Sequence, residues 1–105
     1  MRQTENLGEF EHLLLLTLAQ LQGKSYGTEM RSKLKELIER DSSIGALYAT
    51  LERMEKKGFV TSSVGEPTAE RGGRAKRYFE LTVEGKKILR DTQHKLTTMW
   101  KGLEL

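Results

Sequence analysis

The sequence predicts a mainly α, α+β fold: three helices, a two-stranded β hairpin and a long C-terminal helix. Three observations carry this reading. Apolar residues recur at three- and four-residue steps in three successive segments. Two β-prone runs, Phe59 to Val64 and Arg77 to Leu81, flank a polar, glycine-bearing stretch. Beyond Thr82 a seven-residue apolar rhythm continues almost to the end of the chain. At 105 residues the chain fits one domain with a modest core.

The first helix is expected from about Gly8 to Gln22. Phe10, Leu13, Leu14, Thr17, Leu18 and Leu21 form one face, and Leu15, Leu16 and Ala19 widen the apolar arc. A helix apolar on more than one side has more than one partner. Gly23 stops it. Ser25 is a candidate N-cap for a second helix, Tyr26 to Glu39, with Tyr26, Met30, Leu34, Leu37 and Ile38 apolar. Asp41, Ser42 and Ser43 offer caps for a third, Ile44 to Lys57, which sets Ile44, Leu47, Tyr48, Leu51, Met54 and Glu55 on or near one face and ends at Gly58. Its other face carries Ser43, Gly45, Ala46, Ala49, Thr50 and Arg53. Side chains this small admit close approach, either to the floor of a DNA major groove or to a neighbouring helix.

The segment from Gly65 to Lys76 reads as a loop, so the two β runs make a hairpin with a protruding tip. Within residues 71–77 stand Arg71, Arg74, Lys76 and Arg77, together with Gly72 and Gly73 and no acid. The net charge is only +3. A local basic loop on a nearly balanced chain points to an anion such as a phosphate backbone. Thr82 caps the last helix, along which Leu89, Thr92, Leu96, Met99 and Leu103 follow an a/d rhythm with Trp100 beside them. That stripe extends past what the core needs, and a second copy of the chain would cover it. The order of elements is that of a winged helix-turn-helix over residues 1–81, with a dimerisation helix over 82–105 in the same compact unit.

Several classes are excluded. With no cysteine there is no disulfide, thiolate metal site or cysteine catalysis. His12 and His94 lie in no metal-ligand spacing, and Arg71-Gly72-Gly73-Arg74 fits no nucleotide-binding fingerprint. The chain is read as a non-enzyme without a cofactor or metal. Leu13 to Leu18 is far shorter than the roughly 20 residues that span a bilayer, and no leader pattern is present, so the expectation is a soluble, cytoplasmic protein with no membrane partner.

A series of segments resembles the PadR family: Leu7-Gly8-Glu9-Phe10-Glu11, Tyr26-Gly27-Thr28-Glu29-Met30, the run from Ser43 to Gly58, Gly65-Glu66-Pro67-Thr68, the run from Glu70 to Phe79, and Leu81-Thr82-Val83-Glu84-Gly85. They fall in one frame over residues 7–90. The resemblance implies a homodimeric transcriptional regulator, usually a repressor, on a palindromic operator in double-stranded DNA. With one C-terminal helix the chain resembles the compact branch, some of whose members bind flat aromatic effectors beside a tryptophan of the last helix. Trp100 is the candidate here, either for that role or as a plain interface anchor.

Site residues follow. The recognition helix would present Ser43, Gly45, Ala46, Ala49, Thr50 and Arg53, with Tyr48 either on a phosphate or in the core. Tyr26 would meet the backbone from the start of helix two. Arg71, Gly72, Gly73, Arg74, Lys76 and Arg77 would form the DNA-binding wing. Leu89, Leu96, Met99, Trp100 and Leu103 would form the dimer interface. The alternative is a winged helix that binds protein and not DNA; four cations in the wing argue against it.

Overall fold

A computed structural model describes residues 6–65 and 75–105. The elements run α1 (Glu9–Gln20), β1 (Lys24–Tyr26), α2 (Gly27–Ile38), α3 (Ile44–Lys56), β2 (Val60–Val64), β3 (Arg77–Leu81) and α4 (Val83–Trp100). The three strands form one antiparallel sheet in the order β1-β3-β2. Helices α1, α2 and α3 pack together and lay Leu14, Leu15, Leu18, Met30, Leu47, Leu51 and Met54, all fully buried, against Phe79 and Val60 of the sheet.

The expected hairpin gains a third strand. Gly23, at φ +87°, turns the chain out of α1: its N–H donates to the Leu18 carbonyl (2.7 Å), while its own carbonyl accepts from the Leu81 N–H (2.8 Å). That second bond brings Lys24–Tyr26 alongside β3, where Ser25 stands opposite Phe79. Ser25 is therefore not the N-cap of α2. It is buried in the sheet, and its hydroxyl donates to the Glu29 carboxylate. Tyr26 takes the N-cap position without a side-chain bond, and α2 starts at Gly27. A Cβ at Gly27 would stand 2.6 Å from the Tyr48 ring, so only glycine lets α3 approach here. At the far end of α2 the expected apolar Leu37 and Ile38 are exposed, and Glu39 closes the helix in the left-handed region at φ 55°.

Ser43 and Thr82 cap as expected. The Ser43 Oγ accepts the Ala46 N–H (3.0 Å), and the Thr82 Oγ1 accepts the Gly85 N–H (2.9 Å). Thr82 also donates its hydroxyl to the Gly58 carbonyl (2.7 Å) and its N–H to the Phe59 carbonyl (3.1 Å), so the exit of α3 and the entry of α4 share one joint. Gly85 is buried in that joint, where a Cβ would run into the Phe59 carbonyl oxygen. Gly85→Ala is expected to cost about 2 kcal/mol or more and lower Tm by roughly 10 °C in circular dichroism melts. Gly45→Ala, whose Cβ would enter open space, is expected to leave Tm level or raise it slightly.

Candidate nucleic-acid interface

The N-terminal half of α3 leaves Ser43, Gly45, Ala46 and Ala49 exposed along one side, while Leu47 and Leu51 hold the helix to the core. Thr50 does not belong with the exposed set. It is 4% exposed, its hydroxyl donates to the Ala46 carbonyl (2.9 Å), and it accepts from Arg53 (3.4 Å). Helical turn geometry explains this: Thr50 lies next to the fully buried Leu51 and one turn on from Leu47, at the edge of the core arc. Tyr48 is half-buried over Gly27, with its ring centroid 6.0 Å from that of Phe79.

Arg53 is exposed but committed. Its Nε donates to Glu11 Oε2 (3.2 Å), which also accepts from Lys57 Nζ at 3.2 Å. The Glu11 side chain is only 7% exposed, and its Oε1 takes the Gly8 N–H (2.8 Å). Burial pushes this carboxyl up, but the Gly8 amide, Lys57 and Arg53 together outweigh it and hold the group below its ordinary value of 4.5. Glu11 thus clamps the start of α1 to the end of α3.

Strand alternation sorts the wing's base. Arg77, Phe79 and Leu81 face the helices, while Tyr78 and Glu80 face outward. On the outer side Tyr26 and Tyr78 meet edge to face at 5.5 Å, Lys76 Nζ lies 5.1 Å from the Tyr26 ring and Lys24 Nζ 5.6 Å from the Tyr78 ring. Lys76 and Tyr26, both expected at the interface, are thereby brought together, and Lys24 and Tyr78 join them unforeseen. The period of two in β3 sets Tyr78 on the side opposite Phe79 and Leu81, but the three residues of β1, which bring Lys24 and Tyr26 alongside, carry too little pattern to predict a strand. Arg77 points the other way: its guanidinium pairs with Glu52 (3.2 Å) and Glu55 (3.1 Å) of α3. Arg71, Gly72, Gly73 and Arg74 lie outside the described residues.

A second feature lies between α1 and α4. A groove of about 350 Å³ is lined by His12, Leu16, Leu89, Arg90, Gln93, Leu96, Thr97 and Trp100. Beyond the core the apolar stripe of α4 is bare: Leu96 is 46%, Met99 73% and Trp100 61% exposed. The expected continuation of the helix to Leu103 is not seen: α4 ends at Trp100, Gly102 turns the chain at φ 78°, and the exposed Leu103 lies just past the helix. Leu89, expected with the stripe, packs in part against the chain's own core. Burial pushes the His12 imidazole below its ordinary 6.5.

The comparisons match this architecture. The model of the transcriptional regulator PadR-like family matches residues 14–91. The chain belongs to the PadR-like family. A PadR family transcription regulator from hypervirulent Clostridium difficile R20291 is 26% identical, with a TM-score of 0.75 over 90% of this chain and 93% of that one. A PadR family regulator from Eggerthella lenta DSM 2243 is 24% identical, with a TM-score of 0.69 over 90% and 81%. F93 from STIV, a winged-helix DNA-binding protein, shares the fold at 13% identity, with a TM-score of 0.75 over 95% and 100%. No curated protein sequence matches. This PadR-like chain is a winged-helix, DNA-binding transcription regulator and not an enzyme. Among the described residues no helix is long and apolar enough to cross a membrane.

The Glu11 clamp sets a pH dependence. Its carboxyl is lower in the folded than in the unfolded chain, so its stabilising effect is complete above pH 4.5 and is lost as pH falls through the folded value. Glu11→Gln is expected to lower stability at pH 7 by roughly 1–3 kcal/mol and to flatten the acid side of the stability profile, read by urea unfolding at several pH values.

Proposed function

We propose that this PadR-like regulator is a cytoplasmic homodimeric repressor that reads a palindromic operator. The observation that carries the reading is the exposed, short-side-chain face of α3, flanked by the Lys76–Tyr26 corner. Gly45, Ala46 and Ala49 admit the helix deep into a major groove, and Ser43 lies at its leading end. Residues this small make few bidentate base contacts, so van der Waals fit and DNA shape supply much of the specificity. Lys76, with Arg71 and Arg74, meets the phosphates or the adjacent minor groove, and Gly72 and Gly73 let the loop follow it. Tyr26, at the start of α2, donates its hydroxyl to a DNA phosphate, and Tyr48, beside Gly27, lies at the same corner.

The bare stripe of α4 supports a two-fold dimer through Leu96, Met99 and Trp100, with Leu103 just past the helix end and Leu89 at the inner margin. The dimer sets the recognition helices about one DNA turn apart, roughly 34–36 Å. A flat aromatic effector held in the groove beside Trp100 would alter that spacing and release DNA. Titration of such compounds is expected to quench the fluorescence of Trp100, the chain's one tryptophan, and to weaken operator binding in parallel. Quenching without any change in DNA affinity would remove the effector role.

Fluorescence anisotropy with the DNA upstream of the chain's own gene and with unrelated duplex tests the main reading. Preference for the first by about 10³-fold or more is expected. Lys76→Ala should weaken both and flatten the salt slope by about 1 per lost contact. For the dimer, sedimentation should show Leu96→Glu with Met99→Glu shifting the protein to monomer. An unchanged sedimentation coefficient would place the interface elsewhere.

A further inference from the structure

Arg77 lies in the most cationic stretch of the chain, yet the fold turns it away from the outer face. In β3 it shares the helix-facing side with Phe79 and Leu81, and its guanidinium lies 4.8 Å from the Phe79 ring. There it meets two carboxylates spaced three apart on α3. Nη1 donates to Glu52 (3.2 Å) and Nη2 to Glu55 (3.1 Å). Ser62 of β2 completes the set: its hydroxyl donates to Glu55 (2.8 Å) and accepts from Arg77 Nη2 (3.4 Å). One residue from each wing strand is thus tied to the recognition helix.

From this we infer that Arg77 is a positioning residue, which fixes the angle of the wing on α3 through Glu52 and Glu55 and contacts no DNA phosphate. The inference rests on the reading that wing and α3 engage DNA together. One cation between two carboxylates leaves the cluster with a net negative charge, which repels a phosphate. Moving Arg77 onto DNA would leave Glu52 and Glu55 facing each other uncompensated near a polyanion. The planar fork of arginine suits two acceptors at once, which a lysine ammonium does not reproduce.

Two measurements on the full chain test this. The first is binding to unrelated duplex DNA across a salt series, where only phosphate contacts count. Lys76→Gln is expected to lower the salt slope by about 1 per lost contact, and Arg77→Gln to leave it at the wild-type value. An equal loss of slope in Arg77→Gln would overturn the inference. The second needs no DNA: thermal melts of Arg77→Gln, Glu55→Gln and the double variant. The summed single shifts are expected to exceed the double shift by about 3 °C or more. Arg77→Lys is expected to melt like Arg77→Gln. Strictly additive shifts would overturn the brace. If wild type bound no duplex at all, the DNA-contacting reading of the wing would fall, and the melts would still decide whether Arg77 braces α3.

Discussion

Two successive amides at the end of β3 fix where everything else goes. The Leu81 N–H donates to the Gly23 carbonyl and the Thr82 N–H to the Phe59 carbonyl. Gly23 is the exit of α1 and Phe59 the exit of α3, so one dipeptide fastens both helices to the sheet and starts α4. Backbone groups buried at such a crossing have no water to turn to, which makes these bonds costly to lose. The Thr82 cap and the missing side chain of Gly85 then allow α4 to leave the joint at close quarters. The exposed face of α3 and the bare stripe of α4 both take their directions from it.

Much of this was legible in the sequence. Period and punctuation placed α1, α3 and β3 to within two residues and the start of α4 at its Thr82 cap, because each has its own apolar rhythm, cap or terminating glycine. The end of α4 was overrun, since the heptad rhythm continues to Leu103 while the helix stops at Trp100, ahead of Gly102 at φ 78°. Strand β1 was not legible. Three residues, Lys24–Tyr26, have too little pattern of their own, and their partner lies in β3. That single omission misplaced Ser25 as a helix cap and hid the pairing of Lys24 and Lys76 with the two tyrosines. Thr50 was misassigned for a different reason. A threonine on the rim of a helix reads as outward until its hydroxyl is seen bonded to the preceding turn.

The arginines show what residue type cannot convey. Arg53 and Arg77 both read as DNA contacts by charge and place, yet each has carboxylate partners within the chain. The partner of Arg53 comes from α1, 42 residues earlier in the chain. The partners of Arg77 were recoverable in principle, since alternation puts Arg77 with Phe79 and Leu81, and Glu52 and Glu55 lie on one side of α3. Basic composition alone does not separate cations that hold the protein together from cations that hold DNA.

The bare face of α3 has a consequence for how such a protein changes over generations. Space around the Gly45 Cβ direction is open, and Ala46 and Ala49 project away from Leu47 and Leu51. Substitutions at these three positions therefore add side-chain atoms where nothing has to move, while the residues that hold the helix remain untouched. With α3 as the DNA-reading helix proposed above, target preference and foldability are separable traits. On that proposal a lineage would drift to a new operator by single steps, none of which has to cross a valley of unfolded intermediates.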